Sequence, residues 1–119
     1  ADGLTQALTL DKWMTKKVLL SDGIPTPRFF EVVRPDAPLP QDLAFPLIVK
    51  PRCEGSSKGL SEKSRVENIE QLREQIGYIV RTYKQSALVE EFVSGSEYTV
   101  ALIGNNPPEI LPPVQIKID

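Results

Sequence analysis

FPLIVKPRCEGSSKGLS, residues 45–61, decides how this chain is read. Leu47, Ile48 and Val49 are consecutive and apolar, the pattern of a strand covered on both faces. Lys50 follows, and Pro51 stops the strand. An ammonium at the end of such a strand is costly unless it is paired. Two readings stand side by side: the side chain reaches out to water along its apolar stem, or it meets an anion such as a bound phosphate. The next stretch, Glu54 to Gly59, brings two glycines that permit close backbone approach and two serines with exposed amides. Successive amides in such a loop form an anion-binding concavity. As an isolated string it equally suits a plain connection between strands. It fits neither the GxxxxGK[ST] nor the GxGxxG spacing.

The whole chain sets bounds on these readings. Its 119 residues suit one domain, and 40% apolar with 25% charged residues is a globular composition. No apolar run is long enough to span a bilayer. No basic-apolar-small leader stands at its start. The formal charge of −2 argues against a nucleic-acid partner. One cysteine, Cys53, cannot close an internal disulfide, which fits a cytoplasmic setting. The chain has no histidine, so Ser-His-Asp, Cys-His and histidine-metal chemistry are excluded within it. Cys53 reads as a small loop residue rather than a nucleophile.

The eleven prolines stand in residues 25–51 and 107–113, so uninterrupted structure is expected over 52–106. Residues 10–21 read as a helix capped by Thr9 or Asp11, with Leu10, Met14 and Val18 on one face and Asp22-Gly23 at its end. RFFEVV is a strand, and residues 68–83 form a second helix with an apolar stripe of Ile69, Leu72, Ile76, Val80 and Tyr83. Asn68 and Gln71 resemble a capping box. ALVEEFV and EYTVALIG, separated by SGS, predict an antiparallel hairpin. VQIKI alternates as a strand with one wet face. The expected class is α+β: a mostly antiparallel sheet with two helices packed on one face.

Glu90, Glu91 and Glu97 flank the SGS turn. Each alone reads as a solvated strand-end charge; together they could hold a ribose or a metal. Lys12, early in the first helix, alone reads as a surface charge.

Taken jointly, LDKWMTKKVLLSDGIPTP, FPLIVKPRCEGSSKGLS, ALVEEFVSGSEYTVALIGN and LPPVQI resemble the ATP-grasp superfamily, and within it the D-alanine–D-alanine ligase family. The Glu-Gly-Ser-Ser-x-Gly form of the loop points to that branch. The resemblance implies a small, ATP-clasping subdomain over 12–104. Residues 1–11 would link it to an N-terminal domain, and 105–119 would begin the next subdomain. It implies ATP as nucleotide and Mg²⁺ held by ligands outside this chain, with no metal ligand within it. Lys12 would contact the nucleotide, and Lys50 its α- and β-phosphates. Glu54, Gly55, Ser56, Ser57 and Gly59 would form the loop that folds over them. Glu90, Glu91, Phe92 and Val93 would read adenine, with backbone groups of Glu91 and Val93 at the base, and Glu97 would hold the ribose. Ile48 would floor the base. Glu91 departs from the lysine that many relatives carry.

The implied reaction converts a carboxylate to an acyl phosphate that an amine then attacks, forming an amide for cell-wall precursors. The implied whole is a homodimer acting on amino acids or small carboxylates. A non-catalytic binding or folding module, or an ATP-grasp ligase for other amino acids, are the competing readings.

Overall fold

A computed structural model describes residues 3–53, 61–104 and 107–116, without the side chains of Thr5, Gln6, Thr9, Glu97 and Thr99. Two helices open the chain, α1 (Gly3–Leu10) and α2 (Lys12–Ser21). Where one helix over 10–21 was expected, Asp11 breaks the run. Its backbone is extended and its carboxylate caps α2 by accepting the Met14 amide at 3.2 Å. The stretch before Asp11 is thus helical as well.

Four strands form the main sheet in the order β1-β4-β2-β3, all antiparallel: β1 (Phe29–Val32), β2 (Leu47–Pro51), β3 (Arg65–Val66) and β4 (Ala87–Glu91). Helix α3 (Ile69–Tyr83) begins where Asn68 caps it by accepting the Gln71 amide. The Gln71 side chain reaches back to the Glu67 amide, one residue beyond the expected box partner. Leu72, Ile76 and Ile79 are fully buried against Leu47, Val49, Val66, Ala87 and Val89. Each such side chain contributes about 1.5–3 kcal/mol of burial. The α3 stripe is shifted from the expected one, because Ile69 stays exposed and Ile79 takes an inner place.

The α+β class holds, but the expected packing of two helices on one face does not: α3 covers one sheet face and α2 meets the other. Alternate strand residues point to opposite sheet faces. Leu47, Val49 and Val89 meet α3 on one face. Glu90, its cross-strand neighbours Phe29 and Ile48, and Lys50 share the other. Helix α2 meets this second face through Lys16, which reaches Glu90 and lies over the Phe29 ring.

The expected hairpin is not present. β4 pairs with β1 and β2, while β5 (Glu97–Thr99) pairs with β8 (Val114–Ile116) in a separate two-stranded ribbon. A second ribbon joins β6 (Leu102–Ile103) to β7 (Glu109–Ile110). The reason lies in β4, whose Ala87, Leu88, Val89 and Glu90 are all buried. Such a strand needs covered faces and a neighbour on each edge, which a lone hairpin cannot supply. β8 also departs from expectation: Val114, Gln115 and Ile116 are all exposed rather than alternating. No helix among the described residues is long and apolar enough to cross a membrane.

Candidate functional site

An open cleft of about 750 Å³ runs along the second sheet face. Lys16 of α2, Ile48 and Lys50 of β2, Arg65 of β3 and Glu90 of β4 line it, and Phe92 to Ser96 continue the wall toward the ribbons. At its base Glu90 is 5% exposed. One carboxylate oxygen pairs with Lys16 Nζ and the other with Lys50 Nζ. Burial pushes the Glu90 carboxyl up, yet hydrogen bonds and charge from Lys16 and Lys50 outweigh it, leaving the group below its ordinary range. Lys16 also donates to Thr26 Oγ1 at 2.6 Å, which fixes the amine. The Lys50 side chain keeps 26% exposure, so it is paired inward while still open to the cleft. Arg65 stacks its guanidinium 4.5 Å from the Phe92 ring centroid, adding a third cation beside an apolar surface.

A second polar cluster borders the first. Arg52 follows β2 and forks onto Asp11, with Nε to Oδ1 and Nη2 to Oδ2 both at 2.9 Å. Its Nη1 donates to Glu31 Oε2, which also accepts from Ser86 Oγ at 2.8 Å. The hydrogen bonds from Arg52 hold the Asp11 carboxyl below its usual range against the opposing effect of burial. The same two carboxylates push the Arg52 pKa up against burial. Burial, with Asp11 nearby, raises the Cys53 thiol. A raised thiol is a poor nucleophile, in keeping with a structural role.

This arrangement offers cations to an anion, a partly apolar wall to a flat ring, and open access. A family profile described as "D-ala D-ala ligase C-terminus" matches residues 18–119. The chain belongs to that family. An uncharacterized protein of Sinorhizobium fredii, y4sG, is 41% identical over 115 residues, covering 97% of this chain and 33% of that protein. The D-alanine–D-alanine ligase of Alcanivorax borkumensis is 38% identical over 114 residues, covering 96% and 34%. Among solved structures, the Bacillus anthracis D-alanine–D-alanine ligase complexed with ATP superposes with a TM-score of 0.72 at 27% identity, over 94% of this chain and 36% of that one. The VanG D-Ala:D-Ser ligase of Enterococcus faecalis shares the fold, with a TM-score of 0.78 at 24% identity over 98% and 34%. The chain therefore spans about a third of the length of its relatives.

Within this D-Ala-D-Ala ligase C-terminal unit, the structure gathers part of the expected set. Lys50, Glu90, Glu91, Phe92, Val93 and Ile48 all line the cleft. The Glu91 amide donates to the Arg28 carbonyl at 2.8 Å and the Phe92 amide to the Pro46 carbonyl at 3.3 Å. Both are committed to the fold rather than to a ligand. Lys12 stands elsewhere, its Nζ donating to the Pro51 carbonyl at 3.1 Å. Glu54, Gly55, Ser56, Ser57 and Gly59 lie outside the described residues, as does the side chain of Glu97, whose backbone opens β5. Lys16 and Arg65 are site residues that the motifs did not indicate. Lys16 carried a usable signal, because it lies one helical turn after Lys12 and so shares its face. Arg65 carried none, since β3 is only two residues long.

Proposed function

We propose that this chain is the ATP-binding part of an ATP-dependent carboxylate–amine ligase of the D-alanine–D-alanine type. The observation that carries the reading is the Lys16–Glu90–Lys50 group at the base of an open cleft with an apolar side. ATP brings a flat base and a polyanion, and these surfaces complement both. Lys50, partly open, would take phosphate charge as a point cation. Glu90 would hold Lys16 and Lys50 at fixed spacing before the nucleotide arrives, so little reorganisation is needed on binding. Ile48, Phe92 and Val93 would flank the base. With the Glu91 and Phe92 amides committed to the fold, other backbone groups of residues 91–93 would read its edge. Lys12, Glu54–Gly59 and Glu97 would complete the contacts.

In this reading residues 12–104 are the small subdomain and 105–119 begin the next, in a cytoplasmic enzyme. Among the described residues no three acidic, cysteine or histidine side chains gather as a metal-holding group. In this reading the family resemblance, not these residues, assigns the Mg²⁺ ligands to parts of the protein outside this chain. Positioning and charge neutralisation are what this chain contributes to phosphoryl transfer.

The test is phosphate release by the full-length protein. ATP turnover is expected with D-alanine and only with an amino-acid substrate present. A protein that stays inert with a broad amino-acid panel and Mg²⁺ would defeat the ligase reading. Lys50→Ala should raise the ATP KM at least tenfold; an unchanged ATP KM and kcat would remove Lys50 from the site.

A further inference from the structure

Helix α2 carries Lys12 and Lys16, yet none of its residues is buried. Of its apolar side chains, Met14, Val18 and Leu20 are exposed and Trp13 and Leu19 only half-buried. An ordinary amphipathic helix is held by a buried apolar face, and this one has no fully buried side chain. Several of its attachments to the sheet are polar and run through one short segment. The Asp11 cap takes the Arg52 fork. The Lys12 amide donates to the Arg52 carbonyl at 3.0 Å, and Lys12 Nζ to that of Pro51. The Trp13 ring lies 4.8 Å from the Arg52 guanidinium. Arg52 is itself fixed from behind, through Glu31 on β1 and through its own amide to the Ser86 carbonyl at 3.2 Å. Two residues earlier, on β2, stands Lys50.

We propose that Arg52 is a positioning residue for nucleotide binding: by clamping the capped start of α2 to β1 and β2, it sets Lys16 against Glu90 and so keeps Lys50 available to a polyanion. This rests on the ATP-binding reading above. Without the clamp, α2 has no fully buried apolar side chain to restore its place. Lys16 then withdraws from Glu90, and the buried carboxylate draws Lys50 inward as its remaining cation. The two-point fork matters, because a lysine offers one point charge in place of paired donors.

Three variants of the full-length protein test this. Arg52→Lys keeps the charge and loses the fork. Asp11→Asn keeps an efficient helix cap while removing the carboxylate. Ile76→Val loosens the core on the opposite sheet face and touches neither cluster. The two clamp variants should raise the ATP KM, and the Kd of a fluorescent ATP analogue, about tenfold. Their kcat should stay within about twofold and their amino-acid KM should not move. Ile76→Val should lower the melting temperature and leave nucleotide affinity unchanged. Clamp variants with wild-type ATP affinity, or with a lowered kcat at constant ATP KM, would overturn the proposal while leaving the ATP-binding reading intact. So would an equal loss of affinity in Ile76→Val. Failure of the wild-type protein itself to bind the nucleotide would instead overturn the functional reading, and this inference with it.

Discussion

Among the described residues, the main sheet and α3 turn most of their apolar side chains toward one another, whereas residues 93–116 hold most of theirs out. Ile76 and Val89 are fully buried, while Ile110 is 69% exposed and Tyr98 60%. The first region closes a four-stranded sheet under α3. The second consists of two separate ribbons of two strands each, an architecture that is marginal without further support. The candidate cleft lies where these regions meet, and its chemistry is divided unevenly between them. Lys50, Glu90 and Arg65 stand on the sheet, and Val93 to Ser96 belong to the stretch leading to the ribbons. Charges that must keep fixed spacing are thus built on the part with its own core, and the softer wall supplies shape.

The sharpest way to break this comparison is to remove a core side chain. Ile76→Ala in α3 should cost about 4 kcal/mol, the transfer loss plus an unfilled cavity. Urea unfolding of the 119-residue chain measures it. A loss under about 1 kcal/mol would mean that the buried layer does not hold the sheet, and the contrast with the ribbons would go with it.

A smaller effect is expected at the charged base of the cleft. Glu90→Gln leaves Lys16 and Lys50 close together without the anion between them. Breaking a buried pair costs about 3–5 kcal/mol, and the partial exposure of Lys50 reduces this to about 2 kcal/mol. The pH dependence follows from the depressed carboxyl. A group whose folded pKa lies below its ordinary value, 4.5 here, contributes its full stability above that pH. The contribution is lost as pH falls through the lower folded value. The stability gap between wild type and Glu90→Gln should therefore be constant from roughly pH 6 to 8 and close in acid. A gap that widened below pH 4.5 would show that burial, and not the lysines, governs Glu90.

How much of this was legible beforehand depended on whether the signal was local. The α3 start was readable because Asn68 and its capping bond lie within one turn. β2 was readable from three consecutive apolar residues. Strand pairing is not local, and SGS between two strand-like runs carried a hairpin signal that the buried edges of β4 overrode. The unbroken Ala-Leu-Val-Glu run of β4 held the better clue, since a strand buried along its length belongs in a sheet interior. For the site, Lys50 and Glu90 came from motif resemblance. Their mutual contact, and Lys16 between Glu90 and Thr26, required the fold to bring residues 16, 26, 50 and 90 together. Arg52 has no motif, so its grip on Asp11 and Glu31 could not be read from spacing.

The smallest expected effect is in the ribbons, and it sharpens the comparison most. Ile110→Ala removes a larger apolar side chain than many core substitutions would, but from a position that is already in water. Its stability should stay within about 0.5 kcal/mol of wild type in the 119-residue chain, as for a surface change. Amide exchange separates this from insensitivity of the assay. The β6 and β7 amides should exchange by local opening, far faster than those of β4, in both wild type and Ile110→Ala. If Ile110→Ala instead lowered global stability as Ile76→Ala does, the β6–β7 ribbon would be part of the same cooperative unit as the sheet. Both walls of the cleft would then be equally firm, and the division of charge and shape between a firm wall and a soft one would fail.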